Sequence, residues 1–194
     1  MNNLNGTGLS AGKTILFATV IGLLAMTAQA MEPEDMVGQD VYLLTNLHPD
    51  EENARLYSTN YQLPGRLKVC TKVRITKLSK KKMKFELVDS PREYEYLLHK
   101  KSTPEGFSEN IKKYFGPECP QAEIDGMSDI DKQGIKKARG LVGMTKRGII
   151  IAMGYPPAHV THDLDYEEWM YWMNKFSRDA IEFDDNGIVT NVRN

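Results

Sequence analysis

The chain has 194 residues, of which 41% are hydrophobic and 26% are charged, with two cysteines and a formal net charge of −1. These values are ordinary for folded proteins and exclude a fully disordered chain, a multi-span membrane protein and a disulfide-dense scaffold. The near-neutral charge also argues against nucleic acid as a partner.

Residues 1–30 have the pattern of a secretory signal peptide. They carry one charge, Lys13, followed by an apolar run over 15–26 and by the small residues Ala28 and Ala30. This order of positive, apolar and small-x-small segments precedes a signal-peptidase site. The apolar run is shorter than the roughly 20 residues that a transmembrane helix needs. We predict cleavage after Ala30, with an uncleaved N-terminal anchor as the alternative.

The cysteines indicate a disulfide but no lipid anchor. The residue after the predicted cleavage site is Met31, whereas an acylated lipoprotein would have a cysteine there. An exported chain enters an oxidising compartment, in which two cysteines can pair. We therefore predict a Cys70–Cys119 disulfide, with two unpaired buried thiols as the alternative. Neither cysteine belongs to a CxxC redox motif.

Charge divides the segment after the signal peptide into unlike parts. Residues 31–65 contain seven acidic residues and one basic residue, whereas residues 66–101 contain twelve basic and four acidic ones. One interpretation is that the two parts pack together and neutralise each other. The other is that the basic part binds an anionic partner, such as lipid headgroups or lipopolysaccharide. The candidate residues for that binding are Lys80, Lys81, Lys82 and Lys84.

Residues 31–120 are predicted to form a β-rich module. Apolar and polar residues alternate over 72–76, 83–87 and 93–96, a period typical of half-buried strands. A further apolar stretch covers 41–44, so we expect a small antiparallel, barrel-like sheet. A trailing helix is predicted over 104–115, with Thr103 as its cap and Pro104 at its first position. Its apolar face comprises Phe107, Ile111, Tyr114 and Phe115.

Residues 121–194 are predicted to form a second module, which makes the fold class α+β. Ser128 and Thr145 are capping residues at the start of two helices that end at Gly140 and Gly154. Three antiparallel strands are expected over 169–173, 178–183 and 188–192. The Asn186-Gly187 pair predicts a type I′ hairpin turn between the last two strands.

Four motifs in this second module occur in a recognisable order. They are Gly143-Met144-Thr145, Gly154-Tyr155-Pro156, the pair Trp169-x-Tyr171, and Phe183-Asp184-x-x-Gly187-x-Val189. Over residues 138–194 the sequence resembles the SmpA/OmlA, or BamE-like, family of small outer-membrane lipoproteins. The resemblance implies a layer of two helices and three strands. It also implies a non-enzymatic role in the periplasm, docked onto partners of outer-membrane protein assembly.

No motif predicts catalysis, a cofactor or a metal site. A metal-like spacing occurs once, at His159, His162, Asp163 and Asp165. These residues lie in a proline-flanked loop, where polar side chains are expected in any case. We therefore predict a binding protein and not an enzyme.

The aromatic strand supplies the remaining candidate residues. Period-two alternation places Trp169 and Tyr171 on one face and Met170 and Trp172 on the other. Exposed aromatic side chains are favoured anchors of protein interfaces. The sequence therefore predicts an envelope protein partner that contacts this strand, above all at Trp172. Cover by a loop or by the N-terminal module is the alternative for Trp172, and an anionic lipid or glycan is the alternative ligand class.

Overall fold

The computed structural model describes residues 31–193, so the predicted signal peptide lies outside the described residues. A 3-10 turn at Lys100–Ser102 precedes the first α-helix. The elements of the described range are, in chain order, β1 (Asp40–Leu43), β2 (Arg55–Tyr57), β3 (Lys72–Ser79), β4 (Lys82–Leu87), β5 (Ser90–Leu97), α1 (Phe107–Lys112), β6 (Phe115–Gly116), α2 (Gln121–Asp125), α3 (Asp129–Lys137), α4 (Lys146–Met153), β7 (Glu168–Trp172), β8 (Arg178–Phe183) and β9 (Val189–Arg193). The predicted α+β class is confirmed.

The first six strands form one sheet in the order β2-β5-β4-β3-β1-β6. Its pairs are antiparallel except for β2 with β5, which run parallel. The expectation of a wholly antiparallel module missed this pair, because β2 is a three-residue strand brought to the sheet edge by a long connection from β1. Alternation correctly identified the buried face, whose side chains are at most 2% exposed: Val73, Ile75, Met83, Phe85, Tyr94 and Tyr96.

Helix α1 begins later than its sequence predicted. Its N-cap is Gly106, with a φ of +90°, and not Thr103. The Thr103 hydroxyl lies 2.6 Å from Ser58 Oγ and 3.0 Å from the carbonyl oxygen of His99, so one distant and one local contact occupy the expected cap. The predicted apolar face is nevertheless buried in the first core, with Phe115 in β6 beyond the helix end.

Helices α3 and α4 begin where their caps predicted. The Ser128 hydroxyl accepts a hydrogen bond from the Asp131 N–H, and Thr145 Oγ1 accepts one from the Gly148 N–H at 2.9 Å. Helix α4 ends at Gly154, as expected. Helix α3 ends at Lys137 because Ala138 takes the left-handed conformation, so the predicted stop at Gly140 was wrong.

The second sheet has the order β7-β8-β9 and is antiparallel, as predicted. Its last hairpin is not a type I′ turn, because only Gly187 has a positive φ there and a type I′ turn requires two such residues. The Asp184 carboxylate instead accepts hydrogen bonds from the N–H groups of Asn186 and Ile188, at 3.0 and 2.9 Å. This side chain sets the turn geometry.

The buried apolar residues form two cores. The first extends from Met36 to Phe115, the second from Ile124 to Val189, and Tyr155 packs against both. Three buried amides connect them across the end of α4, where the last carbonyl groups have no partners within the helix. Asn46 donates to the carbonyls of Ile135 and Ala152, Asn60 to those of Met153 and Tyr155, and Gln62 to that of Met153.

A disulfide joins Cys70 and Cys119, which confirms the predicted pairing. The two Cα atoms are 4.8 Å apart across a sequence separation of 49 residues. Val69 and Cys70 also pack against the second core, although they directly precede β3 of the first sheet. The bridge therefore holds the chain at the junction between the two cores.

Ion pairs connect the acidic and basic segments of the first module. Asp40 pairs with Arg74 at 2.8 Å, and Glu51 pairs with Arg92 at 3.0 Å. Part of the charge contrast seen in the sequence is thus neutralised within the first module. Among the described residues, no helix has the length and apolar character needed to cross a membrane.

Candidate interaction surface

Trp169 and Tyr171 lie in the second core and are fully buried. The Trp169 ring packs 4.8 Å from that of Phe183, centroid to centroid. The Tyr171 hydroxyl donates to the carbonyl oxygen of Gly154 at 2.9 Å. Both side chains hold the sheet against α4, so neither is available to a partner in this conformation.

Trp172 is half-buried on the opposite face of β7. The His159 ring stacks on it with centroids 5.9 Å apart and planes 19° apart, and the Arg178 guanidinium lies 4.1 Å from its centroid. Burial, followed by the charge of His99, lowers the pKa of His159. Met170, also half-buried, is attached to the same loop through its N–H, which donates to Thr161 Oγ1 at 3.0 Å. A loop therefore covers much of this face.

The most exposed aromatic side chain of this hairpin is Phe176, which the sequence analysis did not single out. It lies in the turn between β7 and β8, residues 173–177, here called the hairpin tip, and is 85% exposed. Asn174 Oδ1 accepts hydrogen bonds from the N–H groups of Phe176 and Ser177, at 2.8 and 3.0 Å. The Lys175 ammonium lies 4.8 Å from the Phe176 ring centroid. The sequence signal for this ordered, aromatic turn is an Asn two residues before an aromatic residue in the connection between two predicted strands.

The four candidate lysines fall into two pairs. Lys82 Nζ lies 2.9 Å from Glu95 Oε1, and Lys84 Nζ lies 2.6 Å from Glu93 Oε1. The hydrogen bond from Lys84 also lowers the pKa of Glu93. Both lysines therefore have carboxylate partners on β5. By contrast, Lys80 and Lys81 are exposed in the turn between β3 and β4.

The turn between β3 and β4 lies beside a second pair of lysines. The Leu98 N–H donates to the carbonyl oxygen of Lys81 at 2.9 Å, which brings the 3-10 turn to the same end of the sheet. The two lysines of each turn are exposed, Lys80 and Lys81 in one and Lys100 and Lys101 in the other. None of the four forms an ion pair within residues 31–193. We call this group the lysine edge: Lys80, Lys81, Lys100 and Lys101.

The metal-like cluster of the sequence does not assemble. His159 stacks on Trp172, while Asp163 Oδ1 accepts a hydrogen bond from the Asp165 N–H at 2.9 Å within its own turn. In the part of the chain that the structure describes, no three His, Cys, Asp or Glu side chains are placed to hold a metal ion. Comparison of the chain with protein-family models, with curated proteins and with solved structures found no significant match.

Proposed function

We propose that the protein is an exported, non-enzymatic binding factor of the bacterial cell envelope whose hairpin tip docks onto a partner protein. The observation that carries this proposal is the 85% exposure of Phe176 in a turn held by the Asn174 carboxamide. An aromatic ring presented on an ordered turn loses little conformational entropy on binding, and such rings commonly dominate interface energies.

Charge at the tip indicates the chemistry of the partner. Lys175 lies over the Phe176 ring, and Arg178 lies over Trp172 at the base of the same hairpin. Arg178 forms no ion pair among the described residues, and neither does Lys175. The matching surface therefore combines an apolar pocket for Phe176 with acidic side chains around it.

The location rests on two further features. The N-terminal signal pattern and the Cys70–Cys119 disulfide both favour an oxidising compartment outside the cytoplasm. The resemblance of residues 138–194 to the SmpA/OmlA family adds a periplasmic site peripheral to the outer membrane, with assembly proteins as partners. Helices α3 and α4 followed by three antiparallel strands are compatible with that resemblance.

Site-specific photo-crosslinking in intact cells tests the proposal. A photoreactive amino acid at position 175 is expected to give a discrete protein adduct that Phe176→Ser abolishes. The matched control places the same photoreactive amino acid at Val142, which is 59% exposed and lies outside the hairpin. No adduct from position 175, an equal adduct from position 142, or an adduct insensitive to Phe176→Ser would contradict the proposal.

The lysine edge favours a second candidate function, binding of anionic lipid or glycan. Four exposed lysines without carboxylate partners create a local positive potential that attracts phosphate groups. Co-sedimentation with vesicles containing an anionic lipid is then expected to fall in high salt and in the Lys80→Gln/Lys81→Gln variant. The control is Lys132→Gln/Lys136→Gln, which removes the same charge elsewhere. Equal sedimentation of both double variants would exclude the lysine edge.

A further inference from the structure

A cleft of about 890 Å³ lies where the two cores meet. One wall is the segment 62–66 of the first module, and the other is the segment 137–141 that follows α3. The floor comes from α4, from the inner face of the second sheet, and from one leucine of each wall, Leu63 and Leu141. This volume falls in the range of roughly 300–1,000 Å³ typical of small-molecule sites. The cleft is distinct from both surfaces described above, apart from Met173, which borders it and the hairpin tip.

The floor of the cleft is apolar. The side chains that form it come from five separate parts of the chain: Leu63, Leu141, Met153, Ile181 and Val192. Leu63, Leu141 and Val192 are only partly buried by the protein itself. A ligand that covered them would remove this apolar surface from water, which favours binding.

The rim is cationic. Arg66, Lys137 and Arg139 border the cleft, and none of them forms an ion pair among residues 31–193. Arg66 donates to the carbonyl oxygen of Lys136 at 3.0 Å, and Lys137 to Gln133 Oε1 at 3.0 Å, so both are bound only to neutral groups. One acid faces them, Asp179, whose pKa is raised by burial. Three cations against one acid favour a ligand with a negative charge.

Two polar atoms at the base of the cleft lack partners within the described chain. Gln62 is 7% exposed, and its Nε2 donates to the Met153 carbonyl, but its Oε1 accepts from no group. His48 Nε2 is likewise buried and unpaired. Leaving such atoms unsatisfied is unfavourable, so buried polar atoms are usually paired. A hydroxyl group of a ligand would satisfy the Gln62 oxygen.

We infer that this cleft binds a small amphipathic anion that carries a hydroxyl group near its head. The carboxylate or phosphate head lies between Arg66 and Arg139, with Lys137 beside it. The hydroxyl donates to Gln62 Oε1, and a single alkyl chain covers the floor from Leu63 to Val192. The shared chemistry is an anionic head next to an apolar body, whether the head is a carboxylate or a phosphate.

Calorimetric titration of the purified full chain with decyl compounds, below their micelle concentrations, tests this inference. The probes are 3-hydroxydecanoate, decanoate, decyl phosphate, decyl maltoside and inorganic phosphate. We expect 3-hydroxydecanoate to bind one molecule per chain and at least about threefold more tightly than decanoate, because only the former has the hydroxyl group. If decyl phosphate binds as tightly as decanoate, the cleft accepts both phosphate and carboxylate heads. If decyl phosphate binds more weakly, the cleft prefers a carboxylate head. Decyl maltoside and inorganic phosphate should show no saturable binding.

Variants identify the site. Arg66→Gln/Arg139→Gln should weaken binding of 3-hydroxydecanoate at least about tenfold, since charge-assisted hydrogen bonds are lost. Lys68→Gln/Lys132→Gln removes two charges outside the cleft and should leave the affinity unchanged. Val192→Trp fills the floor from the edge strand β9, keeps every charge, and should also abolish binding. Unfolding midpoints verify that each variant is folded. Unchanged affinity in both cleft variants, equal binding of decanoate and 3-hydroxydecanoate, or tight binding of inorganic phosphate alone would overturn the inference.

Discussion

At the scale of single residues, His48 is a histidine whose environment changes its protonation near neutral pH. It lies beside the junction of the cores, and burial lowers its pKa from 6.5 to about 4. The charge of Arg66 acts in the same direction, whereas the nearby backbone carbonyls of Leu63 and Ala152 oppose it. The imidazole is therefore neutral in the folded protein at neutral pH.

This shift predicts a loss of stability in mild acid. Because the unfolded chain binds a proton at His48 below about pH 6.5 and the folded chain only near pH 4, unfolding takes up a proton between these values. The free energy of unfolding should have its full value above pH 6.5. It should then fall by about 3 kcal/mol as the pH is lowered to 4. Urea unfolding at pH 7, 5.5 and 4.5 measures this decrease.

The His48→Gln variant is the control for that decrease. It removes the titrating group, so its unfolding free energy should depend much less on pH in the same interval. The lowered pKa values of His159 and of carboxyls such as Glu93 and Glu123 add to the decrease, whereas the raised pKa of Asp179 opposes it, so a smaller slope remains. Identical pH profiles of the two proteins would show that His48 is not the responsible group.

At the scale of elements, α4 depends on its capping residue. Thr145 Oγ1 accepts the Gly148 N–H and lies 3.2 Å from Asp131 Oδ1, a carboxylate that is 1% exposed. Thr145→Ala should lower the free energy of unfolding by about 1–2 kcal/mol, because a helix N–H loses its partner. Thr145→Ser keeps the hydroxyl and should lose much less. Denaturant unfolding of both variants makes the comparison, and equal losses would show that the methyl group, and not the cap, is responsible.

Elements with a local signal could be predicted from the sequence, whereas those with distant partners could not. The caps Ser128 and Thr145 act within three residues, and both were identified. Thr103 has the same chemistry, but its hydroxyl contacts Ser58, 45 residues away, so α1 starts elsewhere. The parallel pairing of β2 also depends on a long connection, about which local patterns carry no information.

The candidate surfaces show the same limit. Alternation placed Trp172 on the outer face of β7, but it could not reveal that His159, 13 residues earlier, stacks on the ring. Phe176 was overlooked because a lone aromatic residue in a turn has no periodicity. Two of the amides at the junction of the cores, Asn46 and Gln62, have no sequence signature, since their partners across the junction are main-chain carbonyls of α3 and α4.

At the scale of the whole molecule, the disulfide is expected to contribute to folding stability. It closes a loop with a sequence separation of 49 residues and lies where both cores meet. The Cys70→Ser/Cys119→Ser variant should be less stable by about 2–4 kcal/mol, mainly because its unfolded chain is less constrained. Thermal or urea unfolding with and without reductant measures this difference.

The reductant supplies the control for this prediction. The natural chain should fall to the stability of the double variant once its disulfide is reduced, whereas the double variant should not respond. Thiol titration of the denatured natural chain should find no free cysteine before reduction and two afterwards. Two free thiols before reduction would contradict the pairing.

The amide junction also constrains how this sequence can change over evolutionary time. Across the junction, Asn46, Asn60 and Gln62 donate only to main-chain carbonyls at or near the helix ends, so they recognise the main chain there and not particular side chains. Core-compatible substitutions within α4 can therefore leave the amide contacts intact, provided that the helix ends at the same residue. The amides have no such freedom, since an Asp or Glu would place an acceptor against an acceptor. Related sequences should thus keep these three amides even where apolar side chains of α4 are exchanged for others of similar size.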